Sequence, residues 1–271
     1  NIFIMNLFSP SQLVVYAISG EYVSYMDRYS KECPRNKIPQ KNTNHPLLQK
    51  LADKGYEQED ILEEEFRKKG LNVTTISDQI SNEEREELSI NAMQKGYDVI
   101  CQARIIYGPF GGFADYLIKI DGKSKFGDFQ YEVWDSKLSH NVKPGALIQT
   151  MMYSEILSKI QGTYPEEMAI YLGTGETKRF KTENFRDYFK KITKKFLKFQ
   201  NDFSINNIPD PEKYESSEYG NWSEYSNSIL KERDSLCLIP TIMISEVLSM
   251  KKIGINTIEE FITSKTYIDE T

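Results

Sequence analysis

Hydrophobic side chains recur at helical spacing in two long stretches of the chain. Over residues 45–70 they form one stripe, begun by Pro46 and closed by Gly70, which are residue types typical of helix ends. The members of this stripe are Leu47, Leu48, Leu51, Ile61, Leu62 and Phe66. A second stripe predicts an amphipathic helix over residues 183–201. Its members are Phe185, Phe189, Ile192, Phe196 and Phe199.

Further helices are predicted from capping residues and from the glycines and prolines that punctuate the chain. The predicted segments are 9–19, capped by Ser9 with Pro10 in its first turn; 82–95, ended by Gly96; 144–162, begun by Pro144 and ended by Gly162; and the tail 223–265. The polar stretches 31–44 and 201–222 predict loops.

Strand-like stretches rich in β-branched and aromatic residues lie between these helices. The central three are YDVICQARIIY (97–107), FGGFADYLIKI (110–120) and FQYEVWDSKL (129–138), joined by turn residues at 108–109 and 121–128. LNVTTIS precedes them, and EEMAIYLGTG and ETKRFKTE follow. The order of the elements predicts an α/β or α+β domain with a mixed sheet.

The amino-acid composition argues against several classes of protein but does not indicate an activity. The 271 residues are 39% hydrophobic, enough for one large domain or one domain with a small appendage. The net charge of −6 means that any nucleic-acid-binding surface must be local. Three scattered cysteines and two histidines argue against a disulfide scaffold and against a metal site built from Cys or His. No apolar run is long enough to span a membrane, so we expect a cytoplasmic protein with no membrane partner.

The stretch YEVWDSKLSH places charged residues inside a strand-like segment. Alternation along a strand puts Asp135 and Lys137 on one face, while Glu132 and Trp134 take the other. If 110–120 and 129–138 form a hairpin, positions whose numbers sum to about 250 lie opposite each other, which sets Asp115 beside Asp135. Two carboxylates within an apolar sheet repel each other, so a cation must balance them.

Two interpretations of these three residues stay open at this point. Carboxylate oxygens suit Mg²⁺ or Mn²⁺, which can activate water for attack on a phosphodiester, and Lys137 can orient that water or stabilise negative charge. Alternatively, Asp135 and Lys137 form a buried ion pair that serves only the fold. On the next helix Gln149 and Tyr153 share a face, from which they could hold a phosphate or a nucleobase; a surface Gln and a half-buried Tyr are the plainer alternative.

The segments ADYL, DSK and QTMMY, which carry Asp115, Asp135–Lys137 and Gln149–Tyr153, together resemble the RecB-like branch of the PD-(D/E)XK nuclease superfamily. The wider sequence is similar to bacterial RecB-like nucleases that are sometimes fused to helicase or RNase H-like regions. The similar stretches are SPSQLVVY, KGYEQEDIL, AMQKGYDVICQA, YEVWDSKLS, QTMMYSEILSKIQG, PEEMAIYLG and GINTIEEF. The resemblance covers nearly the whole chain and is most specific over 90–175.

The resemblance implies a restriction-endonuclease-like mixed sheet flanked by helices, with helical N- and C-terminal extensions. It also implies a metal-dependent DNase, often an exonuclease, that uses Mg²⁺ or Mn²⁺ and acts in DNA repair. Asp115 and Asp135 would be metal ligands and Lys137 the catalytic lysine. Gln149 and Tyr153 would be the pair on the substrate side.

The helix that follows Gly55 departs from the family pattern. The family has His-Glu where this chain has Gln58-Glu59. An amide oxygen binds a hard cation more weakly than a carboxylate, and Glu59 lies about 100° further around the helix than Gln58. We expect Glu59 to complete the metal site, with Glu57 or Gln58 as alternatives and a plain acidic helix face as the structural alternative.

The second departure concerns a 4Fe–4S cluster that relatives often hold on four cysteines. The spacing C-x-x-C-x-W-x-x-x-C falls on Ser217, Gly220, Trp222 and Ser226, and the N-terminal cysteine position falls on Ser19. Because Ser and Gly supply no thiolate, we predict no iron–sulfur cluster. Packing alone should then tie the N- and C-terminal segments together, with Trp222 as an anchor.

Two features of the C-terminal third suggest DNA contacts. Lys190, Lys194 and Lys198 lie largely opposite the Phe stripe and could follow a phosphate backbone, with a solvated lysine face as the alternative. KKIGINTIEEF resembles half of a helix–hairpin–helix, whose turn can approach phosphates through backbone N–H groups; a plain helix pair is the alternative. We assign the nuclease domain to 1–222, with its core at about 45–200, and a helical tail to 223–271.

The leading hypothesis from the sequence is a divalent-metal-dependent DNA nuclease, expected to act as an exonuclease. The alternative is a nuclease-fold DNA-binding module that has lost catalysis and serves a helicase or repair complex, an idea motivated by the missing histidine and cysteines. A structural protein with a buried ion-pair network is a third interpretation.

Overall fold

The computed structural model describes residues 7–34, 39, 41 and 46–269. The helices are α1 (Pro10–Glu32), α2 (Pro46–Lys68), α3 (Asn82–Lys95), α4 (Pro144–Gln161), α5 (Glu183–Asn201), α6 (Ser223–Glu232), α7 (Ile244–Lys252) and α8 (Ile258–Asp269). The strands are β1 (Val73–Thr75), β2 (Val99–Tyr107), β3 (Phe110–Ser124), β4 (Gly127–Lys137), β5 (Glu167–Leu172) and β6 (Thr177–Lys181). Short 3₁₀ helices lie at Pro211–Lys213, Ser216–Glu218, Gly220–Trp222 and Leu236–Leu238.

The strands form one mixed sheet in the order β1-β2-β3-β4-β5-β6. β1 runs parallel to β2, and β4 runs parallel to β5. The remaining neighbours, β2 with β3, β3 with β4 and β5 with β6, are antiparallel. With helices on its faces, this sheet confirms the predicted α/β class.

Both faces of the sheet are covered by apolar residues, which explains why the sequences of its strands are nearly continuous hydrophobic runs. On one face Leu62 and Phe66 of α2 pack in a cluster with Cys101 and Tyr116. On the other face Ala146 of α4 packs with Ile170 and its neighbours. The functional side chains described below therefore have to be accommodated in a sheet whose two faces are covered.

By compactness the chain divides into two units. Residues 1–18 and 45–196 form the first, called the sheet unit, and residues 19–44 and 197–271 form the second, called the tail unit. The predicted domain boundary at residue 222 differs from this division, because 19–44 and 197–222 group with the tail. Among the helices of the described residues, none combines the length and the apolar composition of a membrane span.

The tail unit is held together by buried aromatic side chains and their hydrogen bonds. Trp222 is fully buried, and its Nε1–H donates to Asp27 Oδ1 at 2.9 Å. Ser226, also fully buried, shares a hydrogen bond of 2.7 Å with the hydroxyl of Tyr22. Because Asp27 and Tyr22 belong to the second half of α1, the predicted role of Trp222 as an anchor between distant segments is confirmed.

Several element boundaries follow the prediction closely, and three do not. α3 spans Asn82–Lys95 and ends at a left-handed Gly96, as predicted, and the structure adds a Ser81 capping box at its start. The helix predicted over 9–19 matches the first part of α1, which ends at the non-helical Gly20, but the helical stretch from there to Glu32 was not predicted. The predicted turn at 121–128 is too long, because β3 and β4 extend to Ser124 and from Gly127. The predicted loop at 201–222 contains 3₁₀ turns, and most of 35–45 lies outside the described residues.

Candidate active site

The hairpin of β3 and β4 brings the predicted acidic pair together. The strands pair in the predicted register, with Leu117 opposite Val133 and Tyr116 opposite Trp134. Asp115 and Asp135 occupy the next position along the two strands. There β3 and β4 no longer pair, while Asp135 pairs on its other side with Ile170 of β5. The two carboxyl groups therefore lie at the point where the β3–β4 ladder ends.

Asp115 is bound to the backbone of β4. Its Oδ2 accepts a hydrogen bond of 2.8 Å from the Ser136 backbone N–H. This bond takes the place of a ladder bond and fixes one side of the carboxylate. Ser136 is itself held from α2, because Gln58 Nε2 donates to its Oγ at 2.9 Å.

Asp135 is buried, and its Oδ1 has no partner among the residues that the structure describes. Only 1% of the residue is exposed, and neither carboxylate oxygen accepts a well-directed hydrogen bond from any residue that the structure describes. The Nζ of Lys137 lies 2.6 Å from Oδ2, which is an ion-pair distance. Buried carboxylate oxygens are normally satisfied by donors or cations, so Oδ1 fits a position that faces a bound cation.

The protonation equilibria reflect this crowding of charge. Burial and the charge of Asp115 raise the pKa of Asp135 to about 8, although the attraction of Lys137 opposes them. Burial also raises the pKa of Asp115. Burial favours loss of the Lys137 proton, yet the attraction of Asp135 and Asp115 outweighs it and raises the pKa of Lys137. Lys137 is therefore a cation beside carboxyl groups that ionise with difficulty.

Helix α2 contributes both residues of the Gln58-Glu59 pair. Besides Ser136, the Gln58 amide donates to the Lys137 carbonyl at 3.3 Å, so it holds β4 in place. Glu59 is partly buried, and burial and the charge of Asp115 raise its pKa to about 7, against the attraction of Lys137. Both residues thus lie beside the acidic pair, while Glu57 is exposed.

Tyr153 reaches the same region from α4. The residue is 5% exposed, and its hydroxyl is so close to Gly112 that a Cβ added there would lie 2.8 Å from it. Burial and the charges of Asp115 and Asp135 raise the pKa of Tyr153, which keeps its hydroxyl protonated. Gln149 lies one turn earlier on the helix and is partly exposed.

Glu132 lies apart from these groups, as its position in the strand predicts. It is 2% exposed, and its two oxygens accept from Arg179 at 2.8 and 2.7 Å. The indole Nε1–H of Trp134 donates to it as well, at 2.8 Å. Glu132 thus has partners on both of its oxygens, whereas Asp135 pairs with Lys137 through Oδ2 and has an Oδ1 without a partner among the described residues.

A cleft of about 390 Å³ opens beside Glu59, between α2 and the first two strands. Its lining includes Gln102, Phe113 and Tyr116. The guanidinium of Arg85, also in the lining, lies 3.7 Å from the centre of the Phe113 ring. The cleft thus offers ring faces and hydrogen-bonding groups next to Glu59.

The other predicted DNA contacts lie on surface helices. Lys190 and Lys194 are exposed on α5, as is Lys198, which pairs with Asp202 at 3.0 Å. In the turn before α8, the backbone N–H groups of Asn256 and Thr257 donate to Glu260 Oε2 at 2.6 and 3.3 Å. A DNA phosphate would have to displace that carboxylate, which weighs against the helix–hairpin–helix prediction.

Three residues near the acidic pair carried no signal that sequence reasoning used. Ser136 connects Gln58 to Asp115, and Gln102 donates from its side-chain Nε2 to Glu59 Oε2 at 2.8 Å. Gly112 leaves room for the Tyr153 hydroxyl. Of these, only Gly112 had a usable sign, because a glycine within a strand often marks a close approach.

Within the described residues, no set of three or more His, Cys, Asp or Glu side chains is arranged to hold a metal ion. Mg²⁺ commonly uses one or two carboxylates and keeps several of its waters. Asp115 and Asp135, with the unsatisfied Oδ1, fit such an ion as its protein ligands.

Comparison with models of known protein families gave no match to this chain, and comparison with curated proteins gave none either.

Proposed function

We propose that this chain is a divalent-metal-dependent DNA nuclease of the RecB-like type. One observation supports the proposal above all: Asp135 has an unsatisfied buried carboxylate oxygen, beside Asp115 and Lys137, at the end of the β3–β4 ladder. Lys137 balances one of the two carboxylate charges, and a bound metal cation would balance the other and give Oδ1 a partner. The resemblance of the same residues to the nuclease motif agrees with this placement.

Asp115 and Asp135 are the groups that would hold Mg²⁺ or Mn²⁺. When bound there, the ion supplies an activated water and stabilises charge on the phosphate. The Ser136 N–H occupies Asp115 Oδ2 and leaves its other oxygen for the ion. Gln58 fixes Ser136 from the helix side, so it acts as a positioning residue, whereas a ligand role at this position stays a prediction.

Lys137 acts as a cation in this proposal. Hydrolysis forms a bond from the water oxygen to phosphorus and breaks one bridging P–O bond, which leaves negative charge on the phosphate and on the departing oxygen. Because its neighbours raise its pKa, Lys137 stays protonated and can donate hydrogen bonds to either oxygen. It is therefore a stabiliser of charge, and general-base chemistry would need another group.

Tyr153 and Gln149 would contact the substrate. The Tyr153 hydroxyl stays protonated beside the acidic pair and can donate to a phosphate oxygen. Gln149 is partly exposed one turn away on α4 and can bind the same strand of DNA. The exposed Lys190 and Lys194 on α5 would add contacts to the phosphate backbone. Because such contacts are electrostatic, the affinity for DNA should fall as the salt concentration rises.

The proposal is tested by incubating the protein with end-labelled single- and double-stranded DNA and with Mg²⁺, Mn²⁺ or EDTA. We expect metal-dependent cleavage that Asp115→Ala and Lys137→Ala each reduce by at least about a hundredfold. Glu57→Gln, an exposed change on α2 next to the site, should cut at the wild-type rate. Circular dichroism of each variant establishes that it folds.

The outcomes separate the proposal from its main alternative. If the wild type binds DNA but cuts neither substrate with either metal, the chain is a DNA-binding module and the enzymatic proposal fails. Cleavage that persists in Asp115→Ala would assign the activity to another protein in the preparation.

A further inference from the structure

Gln102 has a backbone conformation that is unusual for a strand residue. It lies in the middle of β2 with φ 55°, in the left-handed region that favours glycine. Strained backbone of this kind persists only where surrounding contacts hold it, and it concentrates at functional sites.

The strain does not arise from an inserted residue. Cys101 pairs with Tyr116 and Ala103 pairs with Ala114, so the register of β2 on β3 is the same on both sides of Gln102. Gln102 stands opposite Asp115 at the one interior position where this ladder has no pair. A β-bulge, which would need two residues facing one, is therefore excluded as the cause.

The unusual conformation instead redirects the side chain. Cys101 packs against Leu62 and Phe66 of α2, so regular alternation would turn Gln102 to the opposite face. In the structure its Nε2 donates to Glu59 Oε2 on α2 at 2.8 Å. The left-handed residue thus provides a hydrogen bond that an undistorted strand would not make.

Glu59 is held at a second point by the neighbouring strand. The buried Tyr116 donates from its hydroxyl to the Glu59 backbone carbonyl at 2.9 Å. The two contacts fix both the backbone and the carboxylate of Glu59. Because Gln102 stands opposite Asp115 in the β2–β3 ladder, its bond to Glu59 keeps that carboxylate close to the acidic pair.

We propose that Gln102 is a positioning residue that holds the Glu59 carboxylate toward the metal pair Asp115 and Asp135. This inference rests on the proposed metal site and extends it, because it makes Glu59, and neither Glu57 nor Gln58, the α2 residue whose charge acts on an ion held by Asp115 and Asp135, as a neighbouring charge and not as a third ligand. Gln58 is engaged with β4, and Glu57 is exposed. Partners that orient metal-binding side chains typically change metal affinity by about 10–100-fold when they are removed.

The experiment measures Mn²⁺ affinity by isothermal titration calorimetry together with the thermal unfolding midpoint, without DNA. Gln102→Gly removes the amide and suits φ 55°, so the midpoint should stay the same or rise while Mn²⁺ binds about tenfold more weakly. Gln102→Asn tolerates the same backbone but is one methylene shorter. It should also bind Mn²⁺ more weakly while keeping the wild-type midpoint.

A double-mutant cycle shows whether Gln102 acts through Glu59. In a Glu59→Gln background, Gln102→Gly should cause no further loss of Mn²⁺ affinity. The inference is overturned if Gln102→Gly binds Mn²⁺ as tightly as the wild type does. It is also overturned if Gln102→Gly weakens Mn²⁺ binding by the same factor in the Glu59→Gln background, or if the weaker binding comes with a lower thermal unfolding midpoint. A wild type that binds no Mn²⁺, or binds it equally well after Asp115→Ala, would instead refute the proposed metal site, and the inference with it.

Discussion

Replacing Asp135 by asparagine should stabilise the metal-free protein at alkaline pH. Wild-type Asp135 is buried, has an Oδ1 without a partner among the described residues, and has a pKa raised to about 8 by burial and by Asp115. The unfolded chain loses this proton near its ordinary value of 3.8, and the folded chain loses it near 8. Between those values the folded state binds more protons, so wild-type stability falls as the pH rises through this window.

The size of the effect follows from the gap between the two pKa values. At about 1.4 kcal/mol per pKa unit, the full penalty above pH 8 is roughly 6 kcal/mol. Asparagine removes the charge but loses the attraction of Lys137 and adds an amide with its own hydrogen-bonding needs. We therefore expect a gain of about 2–3 kcal/mol, seen as a midpoint about 5–10 °C higher.

The assay is thermal unfolding in EDTA from pH 5 to pH 9, with Glu132→Gln as the matched control. Both substitutions turn a buried carboxylate of β4 into an amide, but Glu132 is satisfied by Arg179 and Trp134. Breaking that ion pair should lower the stability by about 2 kcal/mol, less than for a fully buried pair because the Arg179 side chain is 42% exposed. The two variants should thus shift the midpoint in opposite directions.

Adding Mn²⁺ to the same proteins and measuring the same unfolding midpoint tests whether an ion stabilises the site. At a Mn²⁺ concentration about 100 times the dissociation constant, a single site stabilises the wild type by about 2.7 kcal/mol, and Asp135→Asn should gain little. If Asp135→Asn lowers the midpoint in EDTA as Glu132→Gln does, Asp135 is already satisfied in the folded protein. Its buried oxygen would then need no cation.

Three further predictions address the surroundings of the acidic pair and the tail unit. Gly112→Ala should destabilise the protein by about 1–3 kcal/mol in urea unfolding, because its Cβ would lie 2.8 Å from the Tyr153 hydroxyl; an equal loss in a Tyr153→Phe background would contradict this. Trp222→Ala should cost about 3–5 kcal/mol in the same assay because the ring is fully buried, and a loss below about 1 kcal/mol would refute the anchor role. Anaerobically purified protein should contain no stoichiometric iron and show no visible cluster absorbance, and finding both would overturn the prediction of no cluster.

Local sequence patterns were enough to predict many of the helix ends and the strand pairing of the sheet unit. The capping box at Ser81 and the left-handed Gly96 bound α3 where the sequence places its ends. Strand alternation and a short hairpin were enough to set Asp115 beside Asp135, because one register determines every pair along a ladder. The same alternation separated Glu132 from Asp135 and Lys137.

Features that depend on distant or unusual contacts could not be predicted in this way. Nothing in the sequence marks Gln102 as left-handed, because that conformation is held by Glu59, which lies 43 residues away. The partner of Glu132 is Arg179 on an edge strand, and no local pattern links the two. Gly20 looks like the end of a helix, yet α1 resumes beyond it because its second half packs in the tail unit.

Anomalous scattering from crystals soaked in Mn²⁺ tests the central claim most directly, because it locates the ion. We expect a peak within about 2.0–2.6 Å of one carboxylate oxygen from each of Asp115 and Asp135, the range in which hard cations bind such oxygens. Asp135→Asn crystals should lose this peak while keeping the wild-type fold. If saturating Mn²⁺ leaves no peak there and Lys137 alone contacts both carboxylates, the site is a structural ion pair and the metal-dependent nuclease proposal is contradicted.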